Sequence, residues 1–180
     1  METSIMIAGF GGQGVQTLGK LLTYAANESG LFVTFYPSYG AEMRGGTSNC
    51  TVVISDSEIA APYRNTLDCV VALNAPSYNA FGGAVGDGGT LVVNSDLIEC
   101  DESGENRKLV RLPLNDLANK MGSSMTLNVI MLGFLAEYFE GISTEAAEKV
   151  VHLKLGKRKD MLEMNLQAFA CGVSLAADLK

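Results

Sequence analysis

Two glycine-rich clusters contain the residues of this chain that are best suited to bind a ligand. The first is Gly9-Phe10-Gly11-Gly12-Gln13-Gly14, and the second runs from Ser38 to Thr47 as SYGAEMRGGT. Glycine lets the backbone approach an anion closely because it has no Cβ. An arginine beside bare backbone can bind a carboxylate or phosphate through two N–H groups. The candidate binding residues are therefore Gly11, Gly12, Gln13, Gly14, Arg44, Gly45 and Gly46.

Each cluster also has other interpretations. Gly9, Gly11 and Gly14 have the G-x-G-x-x-G spacing of dinucleotide sites, but such sites also need an acidic residue at the end of the second strand. Here the second predicted strand ends in Phe35-Tyr36-Pro37 and has no carboxylate at that point, which disfavours the binding of NAD. The glycines can instead form a tight turn that lets a helix and a strand pack closely. Arg44 can be an ordinary loop arginine paired with Glu42.

The elements around the first cluster predict how it is positioned. Ile5–Ala8 reads as a buried strand, Val15–Ser29 as an amphipathic helix and Leu31–Tyr36 as a second strand. Such an order predicts a right-handed crossover and a parallel pair of strands. Ligands of α/β sheets bind outside the carboxyl ends of strands, and both clusters follow such ends. We therefore expect the two clusters to lie close together.

The rest of the chain predicts a mixed sheet followed by helices. Asn49–Ser55 alternates in polarity, and Ile59–Ala61 reads as its returning hairpin strand. Further strands are expected at Asp68–Leu73, Thr90–Val93 and Lys108–Leu112, and helices at Asn115–Met121, Thr126–Phe139, Thr144–Leu155 and Lys157–Asp178. The prediction is one domain over residues 1–180. Its fold class is α/β, with three α/β/α layers, a mostly parallel, mixed central sheet and a helical C-terminal third.

Composition limits the chemistry that this chain can carry out alone. The net charge is −7, which disfavours nucleic acid and anionic membranes as partners. Four cysteines lack the spacing of a metal or iron–sulfur site, and they fit a reducing cytoplasm. No secretory leader or membrane-spanning run is evident. The single histidine, His152, is far in sequence from both clusters, and no nucleophile–base pair can be built beside them. We therefore expect the chain to depend on partners for catalysis.

The paired clusters resemble the gamma subunit of 2-oxoacid:ferredoxin oxidoreductases. The similarity continues through Ile54-Ser55-Asp56, Pro62, Asp68–Asn74 and Asn128–Gly133, and it covers essentially the whole chain. The resemblance implies a subunit of an enzyme that oxidatively decarboxylates a 2-oxoacid to an acyl-CoA and passes electrons to ferredoxin. It implies 2-oxoglutarate as the substrate, with branched-chain 2-oxoacids, pyruvate and indolepyruvate as alternatives.

The same resemblance assigns the cofactors to other subunits. Thiamine diphosphate would lie between the alpha and beta subunits, and iron–sulfur clusters in the beta and ferredoxin-like delta subunits. This chain would hold neither and would have no catalytic residue or metal ligand of its own. It would contact coenzyme A through Gly11–Gly14 and Arg44, or dock the same loops on its partners.

Two hypotheses of other classes remain at this stage. One is a stand-alone Rossmann-like nucleotide-binding oxidoreductase, and the other is a free-standing module that binds small anions. An isolated subunit is also expected to expose an apolar docking surface, which predicts a homodimer or a complex with partners.

Overall fold

The computed structural model describes residues 1–39, 46–100, 106–156 and 159–180. They form six strands, β1 (Glu2–Phe10), β2 (Phe32–Tyr39), β3 (Thr47–Ser55), β4 (Leu67–Ala72), β5 (Val85–Asn94) and β6 (Lys108–Leu112). They also form six α-helices, α1 (Val15–Glu28), α2 (Ala75–Phe81), α3 (Leu114–Lys120), α4 (Leu127–Tyr138), α5 (Thr144–Leu155) and α6 (Lys159–Ala177). Short 3-10 turns cover Gly82–Ala84 and Ser124–Thr126.

The strands form one mixed sheet in the order β2-β3-β1-β4-β5-β6. β1 pairs in parallel with β4, β4 with β5, and β5 with β6. β3 is antiparallel to both β1 and β2. Parallel pairings therefore predominate, and the predicted α/β class with a mostly parallel, mixed sheet is confirmed.

β1 and β2 run in the same direction, as predicted, but their predicted pairing is wrong, because β3 lies between them and is antiparallel to both. β3 is buried along most of its length, whereas β2 exposes Phe32 and Tyr36 and contains Pro37. Proline lacks a backbone donor and suits an edge strand, so β2 takes the edge and β3 the interior. The predicted hairpin strand Ile59–Ala61 is also absent, and the antiparallel part of the sheet arises from β2 and β3 instead.

Helices cover the two faces of the sheet unequally. The larger hydrophobic cluster joins one face, including Ile5, Ile7 and Val71, to α1 and the helices of the C-terminal third. A smaller cluster on the other face contains Met6, Val70 and Leu91, and Tyr78 and Phe81 of α2 pack against it. The three layers and the helical C-terminal third are confirmed. In the ranges above, no helix combines the length and the apolar character needed to cross a membrane.

α4 crosses α6 closely because each helix has a glycine at the contact. A Cβ on Gly133 would lie 2.2 Å from the carbonyl oxygen of Phe169, and one on Gly172 would lie 1.9 Å from that of Ile130. The two backbones therefore touch where a side chain would normally separate them. This crossing matters for the site, because both helices line the cleft described below.

Candidate functional site

The first glycine cluster forms the loop between β1 and α1, and its backbone requires glycine at two positions. Gly12 has φ 99° and Gly14 has φ 78°, a region that L side chains rarely adopt. Gly14 is the N-cap residue of α1, and the first intrahelical bond runs from Leu18 N–H to its carbonyl. No side chain caps this helix, and its first turn has no acidic residue. The positive end of the helix dipole is thus left for an anion.

The side chain of Gln13 folds back onto the protein. Its Oε1 accepts hydrogen bonds from Phe10 N–H and from Asn74 Nδ2, each at 2.7 Å. Its Nε2 donates a long bond of 3.5 Å to the carbonyl of Leu73. Gln13 therefore helps to set the shape of the loop, whereas Gly11 and Gly12 are exposed.

The second cluster reaches the loop through Gly46. Gly11 N–H donates to the Gly46 carbonyl at 3.1 Å, next to the register pair of Phe10 and Thr47. The expected proximity of the two clusters is confirmed for Gly46. Arg44 and Gly45 lie outside the described residues, so their assignment to the site stays a prediction.

A cleft of about 650 Å³ opens beside the glycine loop. Gly12, Gln13 and Gly14 form one wall, and residues of α1, α3, α4, α5 and α6 form the others. Its polar side chains are Thr17, Asn115, Asn119, Ser124, Asn128, Lys154 and Asn165. Apolar side chains, among them Met125 and Met161, line the rest. Such a mixture of apolar wall and a few polar groups is typical of a pocket for an organic ligand.

Two asparagines of the cleft are suited to contact a ligand, and one of them has an unpaired buried oxygen. Asn165 is only 7% exposed and lines the cleft. Asn128 packs on the glycine loop so closely that a Cβ on Gly14 would lie 1.9 Å from Nδ2. The Oδ1 atom of Asn128 is buried without a partner in the described part of the chain. Buried amides normally find hydrogen-bond partners, so the Asn128 oxygen is suited to a ligand that supplies a donor.

A cation lies at the same cleft. The Nζ of Lys154, near the end of α5, is 3.8 Å from the centre of the Tyr24 ring. A cation over an aromatic face is attracted by the ring quadrupole, which restrains the lysine without neutralising its charge. The cleft thus combines a helix N-terminus, an unpaired amide oxygen and a positive charge, which together suit an organic anion.

A model of the pyruvate ferredoxin/flavodoxin oxidoreductase family matches residues 4–175. This chain belongs to that family. It is 35% identical to the ketoisovalerate oxidoreductase subunit VorA of Methanothermobacter thermautotrophicus, over 98% of this chain and 37% of VorA. It is 36% identical to the 2-oxoglutarate synthase subunit KorC of Methanothermobacter marburgensis, over 97% of each chain. The chain therefore spans little more than a third of VorA and nearly all of KorC.

Solved structures of the family share the fold. The 2-oxoglutarate:ferredoxin oxidoreductase of Magnetococcus marinus, solved with 2-oxoglutarate, coenzyme A and succinyl-CoA, superimposes with a TM-score of 0.92 at 29% identity. That match covers 99% of this chain and 32% of the Magnetococcus chain. The keto/oxoacid ferredoxin oxidoreductase gamma subunit of Geobacter sulfurreducens superimposes with a TM-score of 0.83 at 30% identity, over 98% and 99% of the two chains.

The position of β2 in this family member argues against the NAD alternative. A Rossmann site uses an acidic residue at the end of a parallel strand beside the glycine-loop strand. Here β3 occupies that place and runs antiparallel to β1. The end of β2, at Tyr36-Pro37-Ser38, has no carboxylate. Both the topology and the residue types therefore differ from that class of site.

The cysteines of the family domain are free thiols. Cys50 and Cys69 are fully buried in the sheet, and burial raises the pKa of the Cys50 thiol to about 12. Burial also raises the pKa of Cys69. Over the residues described, no three His, Cys, Asp or Glu side chains lie close enough to hold a metal ion. Protonated buried thiols act as small apolar side chains.

Sequence reasoning did not include the cleft residues of the C-terminal helices among the candidate site residues. Asn165 offered one local signal, because it occupies the buried stripe of α6 between Met161 and Phe169 at spacings of four. A polar residue on an apolar helix face is unusual and needs a partner. Lys154 begins the basic run Lys154–Lys159, but such a run is more often a solvated helix surface than a binding patch, so it was not included among the candidate residues.

Proposed function

We propose that this chain is the gamma subunit of a 2-oxoacid:ferredoxin oxidoreductase. The enzyme would oxidatively decarboxylate a 2-oxoacid, capture the acyl group on coenzyme A and pass the electrons to ferredoxin. The observation that carries this proposal is the match over nearly the full length of KorC and of the Geobacter gamma subunit. Both proteins have the size of this chain, so the similarity extends beyond a shared fragment.

The proposed substrate is 2-oxoglutarate. KorC is a subunit of a 2-oxoglutarate synthase, and the Magnetococcus enzyme acts on the same 2-oxoacid. The similar identity to VorA, a ketoisovalerate oxidoreductase subunit, favours branched-chain 2-oxoacids as the second candidate. Pyruvate and indolepyruvate are further alternatives. The choice among them would be made in the alpha and beta subunits.

The reactive cofactors of this enzyme would be held by its partners. Thiamine diphosphate would lie between the alpha and beta subunits, and iron–sulfur clusters in the beta and delta subunits. The contribution of this chain would be a docked α/β domain that helps to bind coenzyme A. Four free thiols support a reducing compartment, and we propose the cytoplasm. Without its partners, the chain is expected to self-associate as a homodimer.

Coenzyme A is the ligand whose chemistry fits the cleft best. Its phosphates suit the exposed backbone of Gly12 and the uncapped start of α1, whereas the N–H of Gly11 is already bonded to the Gly46 carbonyl. Its adenine and its two amide groups can pair with the unpartnered oxygen of Asn128 and with the side-chain amide of Asn165. Lys154 would add a positive charge, and Arg44 is proposed to add a second.

The alternative role for the glycine clusters is docking, since close backbone approach at a subunit interface also favours glycine. Arg44→Ala in the assembled enzyme separates the two roles. A raised KM for coenzyme A with intact assembly supports ligand binding. Failure of the chain to co-purify with the other subunits supports docking.

Reconstitution tests the function as a whole. The chain is co-expressed with its partner subunits, and ferredoxin reduction is measured with coenzyme A and each 2-oxoacid in turn. We expect activity with the full set and the highest kcat/KM with 2-oxoglutarate. The chain alone should show no turnover. Redox turnover by the purified chain, or micromolar binding of NAD(H) to it, would contradict the proposal.

A further inference from the structure

A buried asparagine after β4, Asn74, forms hydrogen bonds to both the start of α2 and the glycine loop. Asn74 is 3% exposed, and its Oδ1 accepts a hydrogen bond from Ser77 N–H at 2.9 Å, which caps α2. Its Nδ2 donates to Oε1 of Gln13 at 2.7 Å. One carboxamide therefore uses its acceptor on a helix start and its donor on the glycine loop.

The Gln13 side chain that accepts this hydrogen bond also bonds within the glycine loop itself. Oε1 of Gln13 also accepts from Phe10 N–H, so the side chain bridges the two ends of the turn. Gly9 makes room for this, because a Cβ there would lie 2.8 Å from the same oxygen. The shape of the loop thus depends on an amide that is held in place from β4.

A second buried asparagine extends the network to another wall of the cleft. Asn94, at the end of β5, is fully buried and donates through Nδ2 to Asn115 Oδ1 at 2.9 Å. Its Oδ1 accepts from Leu114 N–H at 3.2 Å, which fixes the first turn of α3. Nδ2 also lies 3.4 Å from the Leu73 carbonyl, the group that Gln13 Nε2 approaches from the other side.

We propose that Asn74 and Asn94 are positioning residues that hold the glycine loop and the α3 wall of the cleft in one arrangement. Neither residue lines the cleft, and each acts through a neighbour that does, Gln13 or Asn115. Leu73, between β4 and α2, links the two halves of the network. Buried carboxamides with both ends paired rigidify what they connect, because any slip leaves a polar atom without a partner. The effect on ligand affinity rests on the proposed binding of coenzyme A.

Asn74→Asp replaces the key donor with a negatively charged acceptor of nearly the same size. The carboxylate still accepts from Ser77 N–H, so α2 keeps its cap, but it now faces Oε1 of Gln13 without a proton to donate. Asn27→Asp is the matched control, because Asn27 is exposed at the far end of α1 and acquires the same charge. Both variants are prepared in the assembled enzyme.

Two measurements distinguish positioning from a merely structural role. Amide hydrogen exchange over Phe10–Gly14 should become about tenfold faster in Asn74→Asp and stay unchanged in Asn27→Asp. The KM for coenzyme A should rise about tenfold while kcat changes less than about twofold. Unchanged exchange in the loop would overturn the inference, whatever the KM. Faster exchange with an unchanged KM supports the positioning of the loop and contradicts the coenzyme A proposal.

Asn94→Asp provides a second, independent variant in case Asn74→Asp does not assemble. It keeps the acceptor for Leu114 N–H and loses the donor to Asn115. Faster exchange at the start of α3, with an increased KM for coenzyme A, is the expected result. Exchange like that of the unaltered enzyme at this turn would overturn the role of Asn94.

Discussion

The backbone N–H of Gly11 lies 3.1 Å from the carbonyl oxygen of Gly46 and donates a hydrogen bond to it. This bond continues the antiparallel pairing of β1 and β3 beyond Phe10 and Thr47. The bond joins two glycine-rich clusters that are far apart in sequence. It lies at the end of the sheet where α1 begins. The candidate site therefore depends on the pairing of β3 with β1.

Asn165→Leu separates binding from stability. Leucine has a similar volume and removes a polar group from a position that is only 7% exposed, so the free energy of unfolding should stay the same or rise by about 1–3 kcal/mol. If the amide pairs with coenzyme A, its KM in the assembled enzyme should rise about tenfold. Steady-state kinetics and urea unfolding measure the two effects. Asn27→Leu on the exposed face of α1 is the control, and an unchanged KM for Asn165→Leu would contradict the proposed contact.

Gly14→Ala should damage the site more than an equivalent change elsewhere. Gly14 and Gly30 have almost the same φ, 78° and 77°, but only a Cβ on Gly14 would meet Asn128. Gly30→Ala should lower the free energy of unfolding by about 1 kcal/mol, from backbone strain alone. Gly14→Ala should cost about 1–3 kcal/mol more, because Asn128 must move. Urea unfolding measures the difference, and equal losses would mean that the packing on Asn128 is unimportant.

The close crossing of α4 and α6 predicts a large loss of stability when either contact glycine gains a Cβ. Gly133→Ala and Gly172→Ala each place a methyl group about 2 Å from a backbone oxygen, so the helices must separate. We expect each change to lower the free energy of unfolding by about 1–3 kcal/mol or more. Gly83→Ala, with no atom within 4 Å of the added Cβ, is the matched control. Urea unfolding that fails to distinguish these variants from the control would contradict the tight crossing.

Alkaline pH should destabilise the protein partly through Cys50. Burial raises the pKa of this thiol from 9.0 to about 12, so between these values the unfolded chain loses a proton that the folded chain keeps. The free energy of unfolding should therefore fall as pH rises above about 9, by up to about 1.4 kcal/mol per pH unit for this group. Cys50→Ala should make that decrease shallower, although Cys69 contributes its own. Urea unfolding between pH 8 and 10 measures the slopes, and identical slopes would show that Cys50 does not titrate on unfolding.

Local sequence patterns predicted most helices and strands well. The helix from Val15, the strand Lys108–Leu112 and the helix Thr144–Leu155 match the structure within a residue or two, and Ser143 caps α5. These elements have strong apolar periodicity and recognisable ends, so local information suffices. The glycine turn was equally readable, because Gly12 and Gly14 adopt a conformation that few other residues tolerate.

Strand order could not be predicted from the same patterns. The connection from β2 to β3 is compatible with β2 beside β1 or with β3 beside β1. Which of the two strands lies beside β1 depends on which one buries both of its faces, and this burial depends on the packing of the whole sheet. Pro37 in β2 was a local indication of an edge strand. That indication became decisive only in the structure, where β3 is the buried neighbour of β2.

The sequence by itself determined the α/β class, the glycine loop at the start of α1 and membership of the family, because these depend on residue types at short spacings. The tertiary structure alone decided that the cleft beside this loop is completed by Asn128, Lys154 and Asn165 from three later helices. It also decided that the Gln13 amide faces Phe10 and Asn74. The physical reason is that a side chain's partners are set by packing between elements distant in sequence, which no local pattern encodes.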